Sequence, residues 1–345
     1  MRHEASSAKA MKIGIPDDYQ DIVDRLECYS LIRRHDVVRH REPARDLEQL
    51  VERLADAEVV VSIRERVEFS RKLLERLPRL ELIALVGRNS RVIDLAACTE
   101  LGIAVATGMS NSPVAPAELT LALILASRRN VAREAERMRH GEWPCTLSHR
   151  LRGSTLGIFG LGAIGGLVAE GGRGLGMHVL VWGQKSSLEK AAAAGYARAA
   201  SQEALFEHSD VLSLHLRLTR ETSGIIGPGD LDRMKPTALL VNTARAELIR
   251  PGALLQALRK GRPGYAAVDV YEQEPVSGGN HPFLSMPNVL CTPHLGWAEW
   301  TNFELYFREA FEQIVAYQQG LPLRLANPEV KLRGRARGSS GAATR

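Results

Sequence analysis

At roughly 150 residues per domain, a chain of 345 residues has room for about two. Its 45% hydrophobic and 25% charged residues suit a globular protein with large cores, and no apolar run reaches the ~20 residues of a membrane helix, nor do the polar residues 1–10 hold a secretory stretch, so a cytoplasmic protein with no membrane partner is expected. The formal charge of +5 comes from Lys331, Arg333, Arg335, Arg337 and Arg345, all in a Gly/Ser/Ala-rich stretch over 331–345; that stretch reads as a disordered basic tail, and the near-neutral remainder argues against specific nucleic-acid binding.

Residues 12–16 read as a strand, 19–26 as a helix, Val37 and Val38 as a second strand and 47–55 as a helix. AEVVVSI (57–63) is a short β-branched strand, followed by a helix at 71–76, the buried strand LELIALVG (80–87), a helix at 94–100 and the strand GIAVATG (102–108). A single long helix is then expected to start near Pro116 and Glu118, pass through LTLALILA (119–126) and continue into the charged stretch 128–139. After the loop 141–153 a second series begins, with strands at 155–159, 178–182, 210–216, 238–244, 266–270 and 288–294, helices between them, and a final helix near 300–319. Such alternation predicts an α/β fold of two doubly wound domains, each a parallel sheet covered on both faces. Cys28, Cys98, Cys145 and Cys291 form no CxxC pair, so free thiols are expected, with no metal site and no redox motif.

Gly160, Gly162 and Gly165 form a GxGxxG pattern that follows a strand and opens a helix. In that context Gly160 permits a tight turn, Gly162 admits a pyrophosphate to the backbone, and Gly165 lets helix and strand pack closely. The first amides of the helix, at Ala163 and Ile164, then face the phosphates. Gly171, Gly172 and Gly174 lie in the same helix and are expected to loosen its second half. The end of the next strand normally carries an acidic residue that binds the ribose hydroxyls of NAD. Here that place holds Gly183, followed by Gln184, Lys185, Ser186 and Ser187. With no carboxylate to repel a 2′-phosphate, and with a lysine and two serines to bind one, NADP is favoured over NAD.

Arg245, Glu274 and His294 each lie at or just beyond a strand end in the second series. The C-terminal ends of parallel strands converge on one crevice, where ligands bind. A guanidinium fork suits bidentate recognition of a carboxylate, and an imidazole beside a carboxylate suits proton transfer near neutral pH.

LGIFGLGAIG, SDVLSLHLRLTRETSGII, MKPTALLVNTARAELI, AAVDVYEQEP and NVLCTPHLG occur in this order, together with SPVAPAELTLALILA and a closing NPEV. The set resembles the successive signatures of the D-isomer-specific 2-hydroxyacid dehydrogenases, over roughly residues 11–330. The resemblance implies a Rossmann NAD(P)-binding domain, residues 109–295, inserted in a flavodoxin-like substrate domain, residues 1–108 and 296–330. It implies hydride transfer between NAD(P)H and a small 2-oxo acid or D-2-hydroxy acid. In that reading Arg245 binds substrate, His294 is the acid in reduction and the base in oxidation, and Glu274 holds the other imidazole nitrogen. Asp269 matches the aspartate that faces the nicotinamide amide, and further cofactor contacts are implied at Leu216, Arg217, Thr222, Thr243, Ala244 and Gly296. Gly87, Arg88 and Asn89 match the loop whose amides bind the substrate carboxylate. It departs from the family pattern, with Asn89 for a second glycine and Arg91 for an acidic residue. Arg88 then favours a substrate with a second anionic group. Ala163 replaces a usual arginine, and Arg217 a usual proline. The long helix and the Trp143 loop correspond to the region that forms a homodimer in relatives. Formate dehydrogenases of this fold carry an amide where Glu274 stands. The alternative within the fold is a dinucleotide-sensing regulatory protein with little catalysis, against which the intact Arg245, Glu274 and His294 set argues.

Overall fold

The computed structural model describes residues 9–88, 92–144, 146–276 and 278–332. Asn89, Ser90, Arg91, Cys145 and the basic tail from Arg333 lie outside the described residues. The chain divides into two compact units, Met1–Asn111 with Trp300–Arg345, and Ser112–Glu299. Among the described residues no helix is long and apolar enough to cross a membrane.

The first unit is built on β1 (Lys12–Ile15), β2 (Asp36–Arg39), β3 (Val59–Ile63), β4 (Leu82–Val86) and β5 (Ala104–Ala106), all parallel, in the order β2-β1-β3-β4-β5. β3 and β4 are buried along their whole length, which is why they read as unbroken apolar runs rather than alternating ones. Helices α1 (Leu47–Leu54) and α3 (Leu95–Glu100) start where Asp46 and Asp94 accept the amides of Gln49 and Ala97, the usual N-cap arrangement. Between these two lies α2 (Arg71–Leu74).

The helix expected over 19–26 does not form. Two 3-10 turns, Val23–Arg25 and Glu27–Leu31, stand in its place. Asp17 and Asp21 take left-handed φ values of 64° and 50°, the Asp18 carboxylate takes the amides of Ile22 and Val23, and Arg39 of β2 pairs with Asp18 at 2.8 Å. Side-chain capping and a tertiary ion pair outweigh local helix propensity.

The chain's last elements complete this unit. The C-terminal helix, Trp300–Gln319, presents Phe303, Phe307, Phe311 and Ile314 to the core, and its Glu304 accepts the amides of Glu27 and Cys28 at 2.9 and 2.8 Å. Beyond it, Leu325 bridges Ala106, and Asn327 accepts from the Val105 amide and donates to the Ile103 carbonyl, each at 2.9 Å. These contacts close the outer edge of β5.

The second unit opens with α4 (Val114–Arg128) and α5 (Val131–Arg139). A continuous helix was expected here, but Asn130 is left-handed at φ 55° and splits it. Asparagine tolerates that conformation better than most residues, and buried Arg128 anchors the end of α4 on the carbonyls of Thr237 and Asp210. The sheet comprises β6 (Thr155–Phe159), β7 (His178–Trp182), β8 (Ala197–Arg198), β9 (Val211–Leu214), β10 (Leu239–Asn242), β11 (Tyr265–Val268) and β12 (Val289–Cys291). All pairs are parallel, in the order β12-β11-β10-β9-β6-β7-β8. The order reverses at β6, the doubly wound arrangement of a Rossmann sheet. The two-residue edge strand β8 was not foreseen. Helices α6 (Ala163–Gly174), α7 (Lys185–Ala193), α8 (Gln202–His208), α9 (Pro228–Arg233) and α10 (Ala253–Lys260) connect the strands.

The glycines of α6 do not loosen it, and the helix runs unbroken to Gly174. A Cβ on Gly171 would stand 2.5 Å from Leu121 of α4, and one on Gly172 would stand 2.2 Å from Leu156 of β6. Both positions trade helix propensity for close packing on two sides.

Candidate active site

The residues singled out in the second unit gather along one edge of its sheet, because each follows the C-terminal end of a parallel strand: Gly160 after β6, Arg217 beyond β9, Arg245 after β10, Asp269 after β11 and His294 after β12.

The glycine turn has the shape that a dinucleotide requires. Gly160 sits at φ 99°, and a Cβ there would meet the His215 carbonyl at 3.0 Å. A Cβ on Gly165 would stand 2.3 Å from the Gly160 carbonyl oxygen, whereas one on Gly162 would meet nothing within 4 Å. The open side of the turn is therefore at Gly162, where α6 begins with Ala163 and Ile164 and its first amides lack intrahelical partners. These features fit a pyrophosphate. Below the turn, burial pushes the His215 imidazole down to about 4, so the ring is neutral at pH 7. Its Nε2 lies 2.9 Å from Ser213 Oγ.

At the end of β7, Gly183 has φ 155°, and a Cβ there would crowd Ser187 and Gly160 at 3.2 to 3.4 Å. Gln184, Lys185 and Ser186 are exposed at the start of α7. Ser187, expected to be free for a phosphate, is instead buried, and its hydroxyl accepts the Leu161 amide at 3.1 Å. It ties α7 to the glycine turn rather than offering itself to a phosphate. Of the remaining positions, Thr222 closes the turn that carries exposed Arg217 by donating to the Arg217 carbonyl at 2.6 Å. Leu216 packs on the core. Thr243 shares a 2.7 Å hydrogen bond with Thr120 of α4.

Asn242 shapes the turn at Arg245 by accepting the Ala244 amide at 3.0 Å and donating to the Arg245 carbonyl at 2.9 Å. Arg245 Nη1 donates to the Ala244 carbonyl at 2.6 Å. His294 Nδ1 and Glu274 Oε2 are 2.5 Å apart, and Glu274 Oε1 accepts the Tyr271 amide at 2.9 Å. Burial opposes charge on Glu274, but the bond to His294, the charge of His294, the Tyr271 amide and the Arg245 cation hold its carboxyl below the ordinary carboxylate range. Both side chains of the pair are 22% exposed, so the imidazole is fixed yet reachable.

Asp269 is fully buried. It accepts the amides of Leu295 and Gly296 at 2.7 and 2.9 Å and the Thr292 hydroxyl at 2.6 Å. Burial pushes its carboxyl above the usual range, against those hydrogen bonds and the charge of His294. A Cβ on Gly296 would stand 3.2 Å from it. Asp269 thus clamps the turn on which His294 rides, a role sequence reasoning missed.

Gly87 and Arg88 belong to the first unit. Gly87 is buried at φ 117°, where a Cβ would meet Arg64 Nη1 at 2.8 Å, and its carbonyl accepts the Gly108 amide at 2.8 Å. Arg88 is exposed.

Residues 121–296 match the family model described as D-isomer specific 2-hydroxyacid dehydrogenase, NAD binding domain. The chain belongs to that family. The matched domain is an NAD binding domain, so the cofactor of this dehydrogenase is of the NAD type. It is 40% identical to a glyoxylate reductase of Aeropyrum pernix, over 75% of this chain and 79% of that protein. It is 36% identical to a D-3-phosphoglycerate dehydrogenase of Methanocaldococcus jannaschii over 72% of its own length, but spans only 47% of that longer protein. A solved oxidoreductase from Ralstonia solanacearum superposes with a TM-score of 0.89 at 48% identity, covering 93% of this chain and 98% of that one. These relatives are all named as dehydrogenases, reductases or oxidoreductases, which supports an enzyme and lends nothing to the regulatory alternative. The dehydrogenase is therefore an oxidoreductase of 2-hydroxy acids.

Proposed function

We propose that the dehydrogenase reduces a short 2-oxo acid, of the size of glyoxylate or hydroxypyruvate, at the C-terminal edge of the seven-stranded sheet, with NADPH preferred to NADH. The observation that carries this reading is the 2.5 Å pair of His294 Nδ1 and Glu274 Oε2 beside Arg245. The cofactor supplies the hydride. Arg245 holds the substrate carboxylate and polarises the oxo group with the two arms of its fork. His294 delivers a proton from Nε2 to the oxo oxygen in reduction and takes it back in oxidation. Glu274 fixes the ring by its bond to Nδ1, so that Nε2 is the nitrogen left to exchange a proton.

The cofactor preference rests on Gly183, which offers no carboxylate, and on Lys185, whose side chain is 92% exposed beside the first amides of α7. The substrate size follows the Aeropyrum relative, most of whose length the chain covers. The exposed apolar side chains Met138, Trp143 and Leu147 are assigned to contact with a second copy of the chain, so a homodimer is expected in sedimentation.

The test is loss of reduced-nicotinamide absorbance with purified protein, offering NADPH and NADH separately against glyoxylate, hydroxypyruvate and larger 2-oxo acids. Turnover with a short acid, faster with NADPH, is expected. Cofactor binding without turnover on any acid would overturn the reading.

A further inference from the structure

The catalytic pair stands on two separate segments, 271–274 and 292–296, and one side chain spans them. Tyr271 follows the end of β11 and is 8% exposed. Its amide donates to Glu274 Oε1 at 2.9 Å. Its phenol donates to the Thr292 carbonyl at 3.0 Å. That same carbonyl accepts the amide of His294 at 3.1 Å.

The second bond matters because His294 has φ 51°, a left-handed conformation that side chains with a Cβ seldom adopt. A backbone held there persists only where its surroundings over-determine it. Asp269 grips the far side of the turn through the amides of Leu295 and Gly296. On the near side the groups that fix Thr292 are its amide bond to the Val268 carbonyl, its hydroxyl bond to Asp269, and the Tyr271 phenol.

From this arrangement we infer that Tyr271 is a positioning residue that keeps Glu274 and His294 in register, its amide holding the carboxylate and its phenol holding the turn from which the imidazole projects. The inference rests on the proposed roles of those two residues. A carbonyl has two lone pairs, so Thr292 satisfies both donors at once.

The surroundings suit this task. Burial, then Cys291, Asp269 and Glu274, push the phenol well above its ordinary range, so it is a donor at neutral pH. The ring is backed by His281, edge-on at 5.1 Å, and His281 in turn packs on Phe283 at 4.8 Å. His281 Nδ1 accepts the Phe283 amide at 3.3 Å. Tyr271 is therefore held from behind while its two polar groups reach forward.

The test is Tyr271→Phe, which keeps the ring and the amide and deletes only the hydroxyl, with its bond to the Thr292 carbonyl and its contact with Cys291. One neutral hydrogen bond corresponds to a threefold to tenfold effect, in round numbers. We expect kcat to fall by about that factor with the KM for cofactor unchanged, and the pH profile of reduction to move to lower pH as the carboxylate drifts from the imidazole. A second readout needs no turnover: the ring nitrogens of His294, followed by NMR in 15N-histidine-labelled protein, shift in Tyr271→Phe as the bond to Glu274 loosens. Unchanged His294 signals, or unchanged kcat and pH profile in an active enzyme, overturn the inference. Shifted signals in a protein whose wild type turns over no 2-oxo acid uphold the positioning role and overturn the proposed function alone.

Discussion

Thr292 and Asp269 face each other across the ends of β12 and β11, with the threonine hydroxyl donating to Asp269 Oδ1 at 2.6 Å. The carboxylate also takes two amides of the same turn, one on each oxygen, so one buried group holds three donors. An amide in its place has one accepting oxygen and one donating nitrogen. Asp269→Asn therefore leaves an amide of Leu295 or Gly296 facing a donor. The expected cost is about 1–3 kcal/mol of stability, read by denaturant titration, and kcat falls because the turn under His294 relaxes.

His294→Ala removes the proposed acid and leaves the glycine turn untouched. A roughly 10²–10⁴-fold loss of kcat is expected, the usual contribution of a positioned acid or base, with cofactor binding by fluorescence within twofold, about 0.4 kcal/mol. Arg245→Lys keeps the charge but loses the planar fork, so its main expected defect is a raised KM for the oxo acid. Near-wild-type kinetics in either variant would sink the mechanism.

Glu274 titrates below the ordinary carboxylate range of 4.5. A depressed carboxyl contributes stability that is present above that ordinary value and is lost as pH falls through the lower, folded value. The stability gap between wild type and Glu274→Gln should therefore be full at pH 7 and should close under acid conditions. In catalysis the same variant removes the charge opposite the imidazole. Its reduction rate is expected to fall away at a lower pH than that of the wild type, and coincident pH profiles would count against the pair.

The NADPH preference can be separated from catalysis. Lys185→Ala should raise the KM for NADPH by about tenfold, the scale of one charged hydrogen bond, and leave that for NADH alone. Gly183→Asp should not convert the enzyme cleanly to NADH, because φ 155° and the crowding from Ser187 and Gly160 oppose any side chain there. Equal effects of Lys185→Ala on both cofactors would remove the argument for a phosphate site.

Gly172→Ala gains up to about 1 kcal/mol of helix propensity but drives a methyl to within 2.2 Å of Leu156, and such overpacking costs about 1–3 kcal/mol. A lower melting temperature is expected, and a higher one would show that Leu156 moves aside freely.

Residues whose position follows from their own strand were legible in the sequence. Arg245, Glu274 and His294 could be placed at strand ends because apolar runs such as ALLVNTA and NVLCTPH announce both strand and exit. Features made by distant residues were not legible. Nothing near Asp18 announces Arg39, yet that pair helps break the expected helix. Nothing near Tyr271 announces Thr292, which lies 21 residues on. Ser187 reads as a free hydroxyl until Leu161 is brought to it, and Asn130 reads as a helix interior residue until its left-handed φ is seen.

The C-terminal helix, with Asn327 beyond it, has a consequence for synthesis. A ribosome releases β1 to β5 first, but the helix whose Glu304 holds Glu27 and Cys28, and the asparagine that closes the edge of β5, emerge only after the whole second unit. The sheet made earliest is finished last. Until then the nascent chain carries an open strand edge and an uncovered apolar face, the features that chaperones guard and that aggregation exploits. A released chain truncated before Trp300 should hold a folded second unit and a protease-sensitive first one.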